Sequence, residues 1–322
     1  MDKTQKIRLI FVVVMEFGKL QNIEHVDFSL PKDAAGTTLF LSHLEPKVNK
    51  NEIFIGCTGW NMKQWVGNIY PPKTKTADYL EQYAKQFNTI ELNATHYKIP
   101  NVETIARWKD ATPEHFKFCP KVPQMLSHSR DLGVSHAALS DFVNIVLSLK
   151  ERLGCCFLQL PPYFDPSRLD YLERFLAALP FDFPMAVEVR NAKWFDDESH
   201  FERLFRLLEK YNCSSVMTDV AGRRDVLHQR LTTTTAMIRF VGNGLHTTDF
   251  SRIDAWIEKI NIWQNSGIEK LYFFCHEPDN LLSPQLADYF ITKMRAANPN
   301  LSLKNLQFHN TPSTPNDQLY LF

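Results

Sequence analysis

The feature that most constrains this chain is an alternation. Short runs rich in β-branched and aromatic residues ("IFIGCTGW", "TIELNATHY", "FKFCPKVP", "CCFLQLPP", "MAVEVR", "SSVMTDV", "AMIRFVG" and "LYFFCHEP") are mostly separated by amphipathic patterns such as "ADYLEQYAKQF" and "SPQLADYFITKMRAA". In the stretch 200–212, Phe201, Leu204, Phe205 and Leu208 recur at three- and four-residue steps, which places them on one helical stripe. Strand followed by helix followed by strand implies parallel βαβ units, because parallel neighbours need a long crossover. About eight such runs over roughly 250 residues predict a (β/α)8 TIM-barrel-like single domain. A doubly wound open sheet is the alternative. It usually carries a G-x-G-x-x-G turn after its first strand, and "GCTGWNMKQW" has none.

The pattern breaks in three places. Between the sixth and seventh runs lies "AGRRDVLHQRLTTTT", with little helical stripe, so the helix there is expected to be missing or replaced by an extended segment. Residues 1–50 form a lead-in without clear periodicity, 51–300 carry the barrel, and 301–322 form a Pro/Asn/Thr-rich, loosely ordered tail. The apolar run from Leu9 to Met15 is too short to span a bilayer, and no small-residue cleavage site follows it. Met15 reads as the translational start, with residues 1–14 as an extension. A cytoplasmic location and no membrane association follow as expectations. Lys+Arg and Asp+Glu are 36 each, so no global basic field exists to attract nucleic acid. The cysteines Cys57, Cys119, Cys155, Cys156, Cys213 and Cys275 make no C-x-x-C pair and read as reduced, buried thiols rather than metal ligands.

In a barrel, chemistry sits at the C-terminal ends of the strands. The polar residues that fall late in each run are therefore the candidates. Glu91, Asn93 and Thr95 share one face of the second run, with Ile90, Leu92 and Ala94 on the other, expected to lie under helices. Lys121 ends the third, Gln159 the fourth, Glu188 and Arg190 the fifth, Thr218 and Asp219 the sixth; Arg239 lies in the seventh and His276 ends the eighth. Glu188, Glu91 and Asp219 are the candidate proton-transfer residues, and Lys121, Arg190 and Arg239 suit an anionic group. The same charges would also pair in a structural network, and Asp219 would equally serve as a cap or turn acceptor. Gly242 and Gly244 in "VGNGLH" fit either a phosphate-binding loop or a tight turn. Trp60 and Trp65 fit either a stacking platform for a sugar or base, or the packing of a lid. Histidines do not cluster at ligand spacing, and neither H-E-x-x-H nor G-x-S-x-G occurs. No metal and no cofactor is expected.

The ordered set "IGCTGWNMKQWVGNIYP", "IELNATHYKIP", "FKFCPKVPQMLSH", "FLQLPP" and "AVEVR" resembles the YecE-like proteins, domain of unknown function 72, from about residue 53 to about 290. The resemblance implies a TIM-barrel-like fold and no established activity. It covers Gly56, Gly59, Trp60, Trp65, Gly67, Tyr70 and Pro71, then Glu91, Asn93, Tyr97 and Pro100, and then Lys121, Pro123, His128, Gln159, Pro161, Pro162, Glu188 and Arg190. Two departures stand out. His96-Tyr97 replaces the usual Phe-Tyr, and the eighth run reads "FFCHEPDN" where the family runs into paired asparagines. No role is therefore carried over to His276.

These observations together predict a metal-independent acid/base enzyme (a hydrolase, lyase or isomerase) acting on a small polar, anionic or sugar-like molecule. A metal-dependent nuclease or repair barrel is one alternative, and a non-catalytic ligand-binding module is the other.

Overall fold

The computed structural model describes residues 18–45, 52–299 and 301–309. Its strands are β1 (Glu52–Gly56), β2 (Thr89–Leu92), β3 (Lys117–Pro120), β4 (Cys156–Gln159), β5 (Met185–Glu188), β6 (Ser214–Asp219), β7 (Thr235–Val241) and β8 (Lys270–His276). The helices are α1 (Ala35–Ser42), α2 (Tyr79–Gln86), α3 (Ala94–Tyr97), α4 (Val102–Asp110), α5 (Gln124–Ser127), α6 (Ala137–Leu147), α7 (Leu169–Ala177), α8 (Glu198–Lys210), α9 (Thr247–Asn265) and α10 (Ser283–Ala297). Helix α8 shows why the patterns fold as they do. Asp197 accepts the Ser199 N–H at 2.8 Å and the His200 N–H at 3.2 Å, so the helix starts there. Its stripe of Leu204, Phe205 and Leu208 is buried.

All strand pairs are parallel. One ladder runs β4-β5-β6-β7-β8-β1 and a second joins β2 to β3, so the parallel α/β class is as expected. The two ladders meet at two seams. At the β3–β4 seam, Gly154 N–H donates to Phe118 O at 2.7 Å and Val122 N–H to Phe157 O at 2.9 Å. At the β1–β2 seam, one peptide bond, Glu91 N–H to Cys57 O at 3.1 Å, is supplemented by side chains. The Asn88 amide donates to Ile53 O at 2.8 Å and accepts from Ile55 N–H at 2.7 Å. The Tyr83 hydroxyl accepts from Cys57 N–H at 2.7 Å and donates to Thr89 O at 3.1 Å. Gly56 lies in this seam, where an added Cβ would sit 2.1 Å from the Thr89 carbonyl oxygen. Backbone cannot yield as a side-chain tip can. Gly56→Ala is therefore expected to cost roughly 3 kcal/mol, at the upper end of overpacking effects. Denaturant unfolding checks this, and an unchanged midpoint would show that the seam is looser than described.

The outer face of the strands packs under the helices. The other face carries its own apolar cluster of Phe54, Cys119, Cys155, Phe157, Ala186, Val216, Met237, Tyr272 and Phe274, with Phe54 and Tyr272 stacked at 4.8 Å. Adjacent Cys155 and Cys156 fall in different clusters, as strand alternation demands. All six cysteines are free and buried.

The β6–β7 connection has no α-helix: a 3-10 segment, Ala221–Val226, leads into an extended stretch, as expected. That stretch is nonetheless buried, and the lead-in covers it. Thr37 in α1 donates to Gln229 O at 2.9 Å and accepts from Leu231 N–H at 2.8 Å, while Asp33 accepts from the Trp263 indole at 3.2 Å. Helix α1 thus lies over the stretch whose own helix is missing. Residues 301–309 are also docked, with Leu306 buried and His309 N–H donating to Asn68 O at 2.7 Å. The reading of Met15 as a start, the reading of residues 1–14 as an extension, and the loose tail from Asn310 lie outside the described residues.

One strand ends sooner than its alternation implied. β2 stops at Leu92, and α3 begins after Asn93. Ala94 is consequently exposed instead of lying under a helix. Thr95 donates to Leu92 O at 2.9 Å and to Lys121 O at 2.7 Å, which pins the ends of β2 and β3 together.

Candidate functional site

Above the apolar cluster, toward the C-terminal strand ends, the same face turns polar. Arg239 lies over the Phe157 ring at 5.7 Å and forms the hub. Its Nε and Nη2 donate to Glu91 Oε2 and Oε1 at 2.8 and 3.0 Å, a bidentate pair, and its Nη1 donates to Glu188 Oε2 at 2.9 Å. Glu91 also accepts from the Asn93 amide at 2.9 Å and lies 3.0 Å from His276 Nε2. Glu188 accepts from Arg190 Nε at 2.8 Å and from the Gln159 amide at 2.8 Å. Gln159 Oε1 accepts from Lys121 Nζ at 2.8 Å. A single hydrogen-bonded chain thus joins His276, Glu91, Arg239, Glu188, Gln159 and Lys121, residues drawn from or just beyond six strands. Strand parity explains the convergence: Gln159 is in register with Glu188, and Thr218 with Arg239. Thr218 Oγ1 is buried on this face and has no hydrogen-bond partner among the described residues.

The charges settle which groups hold protons. Burial alone would raise Glu91, but Arg239 and then His276 hold it well below the ordinary carboxylate range. For Glu188, Arg190 and Arg239 overcome burial and bring it down to about 2. Both carboxylates are therefore fixed as anions, so the proton-transfer role expected of them does not fit their surroundings. Burial, then the Arg239 charge, pushes Lys121 down to about 8 in spite of both glutamates. Burial also lowers His276, against the pull of Glu91.

Asp219 does not join this cluster. One residue beyond Thr218, it points the other way, into the helix layer. There it accepts from Arg252 Nη2 and the Trp256 indole, each at 2.8 Å, and from Arg224. The blander reading of Asp219 as a structural acceptor describes this placement. The Gly242–Gly244 loop also differs from a free phosphate cradle. Glu277, buried, fills it by accepting from Gly244 N–H at 2.7 Å and Leu245 N–H at 3.4 Å. A Cβ on Gly242 would fall 2.3 Å from Glu277 Oε1, and Gly244 has φ +79°, so both glycines serve this internal carboxylate. Burial pushes Glu277 up to about 7. Trp65 is fully buried against Tyr70 and Tyr83, with its indole donating to Leu281 O at 3.2 Å, which is lid packing. Trp60 is half-buried, edge-on to Trp108 at 5.8 Å.

Tyr97 and His128 lie instead on a groove of about 530 Å³ after β2 and β3, lined also by His96, Pro123 and Met125. Tyr97 is 81 % exposed, and His128 is edge-on to His96 at 5.8 Å. Sequence reasoning passed over His96 and Glu277. The "HY" departure from the family pattern was the available sign for His96; nothing local marks Glu277. Among the described residues no three His, Cys, Asp or Glu side chains are grouped to hold a metal ion, and no helix is long and apolar enough to cross a membrane.

Parallel strands, helices on the outer face and a polar layer at the strand ends define an α/β protein with its candidate site at the C-terminal edge of the sheet. The family described as "Protein of unknown function DUF72" matches residues 54–312, and the chain belongs to that family. It is 30% identical over 267 residues to the UPF0759 protein YecE of Escherichia coli K12, covering 77% of this chain and 95% of YecE. It is 34% identical over 151 residues to the YunF protein of Bacillus subtilis, covering 44% of this chain and 52% of that protein. Crystal structures of DUF72 proteins from Enterococcus faecalis and Thermotoga maritima superpose with TM-scores of 0.60 and 0.59 at 19% and 22% identity. They cover 78% and 77% of this chain and 99% of each structure, and they support the fold alone.

Proposed function

We propose that the two ladders complete one (β/α)8 barrel, bonded across both seams, and that its polar mouth is an acid–base active site for a small polar anion. The carrying observation is a charge imbalance. Arg239, Arg190 and Lys121 face two carboxylates, and the arginines claim both, so the cation left over is Lys121. An excess positive charge in a half-buried pit favours one incoming anion. Lys121 then supplies an exchangeable proton near neutral pH, while Glu91, Glu188 and Arg239 form the rigid frame around it. Such a frame is a poor source of stability, since apolar packing would serve as well or better, which supports a functional reason for it.

Oxalate tests this reading. At about a hundredfold over its dissociation constant it should stabilise the protein by about 2.7 kcal/mol in a thermal shift. Lys121→Met should remove most of that gain while folding normally, since methionine fills the aliphatic volume. Equal stabilisation of both chains, or none of either, would overturn the assignment of the site.

A further inference from the structure

We propose that Lys121 is a carbonyl-trapping nucleophile, forming an imine through Nζ with the ketone of a small 2-oxo carboxylate. This rests on the reading of the mouth as an anion site and goes further by naming the substrate class and the bond made.

The geometry leaves Lys121 without an ion-pair partner among the described residues. Lys121 follows β3 directly, half-buried, and its Nζ donates to an amide oxygen, Gln159 Oε1, at 2.8 Å. Among the described residues it has no carboxylate within ion-pair distance, because Arg239 and Arg190 take both nearby ones. The orientation of Gln159 is fixed from its other end, where its amide N–H donates to Glu188 at 2.8 Å. The contact uses one of the hydrogens on Nζ, so Lys121 keeps it on losing a proton and frees a lone pair. Partial burial beside two guanidinium groups is the environment that deprotonates a nucleophilic lysine. The downward shift of Lys121 to about 8 agrees with this. Two features suit the partner. Arg239 and Arg190 carry their charge beside Lys121, and the Thr218 hydroxyl on the same face is buried and unpartnered among the described residues.

The step balances without a redox partner. The neutral amine attacks the ketone carbon, a C–N bond forms, and proton transfer to the oxygen gives a carbinolamine. Loss of that oxygen as water leaves the C=N bond, and a proton taken from solvent gives the iminium. The iminium withdraws electrons from the neighbouring carbon, which eases proton loss or C–C cleavage there.

Native protein treated with pyruvate and sodium borohydride, then digested and mapped by mass spectrometry, provides the test. Hydride addition locks the imine as a secondary amine. Lys121 should be labelled about tenfold or more above the exposed lysines at pH 7, because its lowered pKa leaves more of its amine neutral. Oxalate should suppress that label and leave the others unchanged. Labelling without preference for Lys121 overturns the imine. If oxalate stabilisation still depends on Lys121, the anion site survives that result; if it does not, both fall. The labelling is done on the unsubstituted chain, so a folding defect in a variant cannot obscure it.

Discussion

Replacing Arg239 by methionine should lower the thermal midpoint at pH 7 by roughly 10 °C, from a loss of about 3–5 kcal/mol at 2–4 °C per kcal/mol. The variant should then recover part of that loss as the pH falls toward 5. Arg239 is buried, and its guanidinium bonds both Glu91 and Glu188. Methionine keeps much of the volume but leaves two buried carboxylates short of a cation. Glu188 retains Arg190, whereas Glu91 retains only Asn93 and His276. The relief open to the folded variant is to bind a proton, on Glu91 or on His276. A folded state that takes up protons more readily than the unfolded chain gains stability as pH falls. The parent has the opposite sign at this cluster. Glu188, depressed from 4.5 to about 2, contributes about 3 kcal/mol that is fully present above pH 4.5 and lost as pH falls through about 2. Glu277, raised to about 7, makes both chains more stable as pH drops from 7 to 4.5, so it cancels in the difference between them. The measurement is therefore that difference between pH 7 and 5. A variant whose deficit is constant across this window would show that Arg239 does not carry the charge balance.

How much of this was legible from residues alone follows from what repeats locally and what does not. The alternation was readable because each amphipathic stripe and each β-branched run is a local signal, independent of its neighbours. The mouth was readable in part for the same reason: Glu91, Gln159, Glu188 and Arg239 lie late in their runs, and Lys121 and His276 at or just past the ends. Asp219 shows the limit. Thr218 and Asp219 are adjacent and both polar, and only the β6–β7 register places Thr218 beside Arg239 and turns Asp219 away. Glu277 filling the Gly242–Gly244 loop is a contact across more than thirty residues, with no mark on either segment. The end of β2 was misjudged because polar residues at 91, 93 and 95 keep the strand period after the backbone has turned helical at Ala94. α1 had no readable stripe because it is only two turns long and mixes two contacts: Phe40 and Leu41 pack on the core, while Thr37 bonds the backbone of Gln229 and Leu231. The proton inventory was the least legible part. Which of two carboxylates and three cations titrates near neutrality depends on who pairs with whom, and pairing is a tertiary fact.

Asp219→Asn should destabilise the protein by about 2–4 kcal/mol and leave oxalate stabilisation through Lys121 intact. The carboxylate is fully buried, and its oxygens accept from Arg252, Trp256 and Arg224. All three partners are donors. An amide of the same shape must turn one NH2 group toward an N–H, so it loses an acceptor as well as the charge. Arg252, itself buried, keeps Asp249 at 3.2 Å and two backbone carbonyls, Asp219 O at 3.1 Å and Val241 O at 3.0 Å. That residual satisfaction is why the expected loss falls below that for Arg239. Arg252→Met on the Asp219→Asn background should cost less than Arg252→Met alone, since the pair is already broken, and the coupling should exceed about 1 kcal/mol. A catalytic Asp219 predicts the reverse pattern: an isosteric amide tolerated by the fold, with activity lost once a substrate is in hand. Denaturant unfolding of the four chains in this cycle, with an oxalate thermal shift on each, separates the two. An unchanged unfolding midpoint for Asp219→Asn would return this residue to the acid–base candidates and move the site toward the helix side of β6.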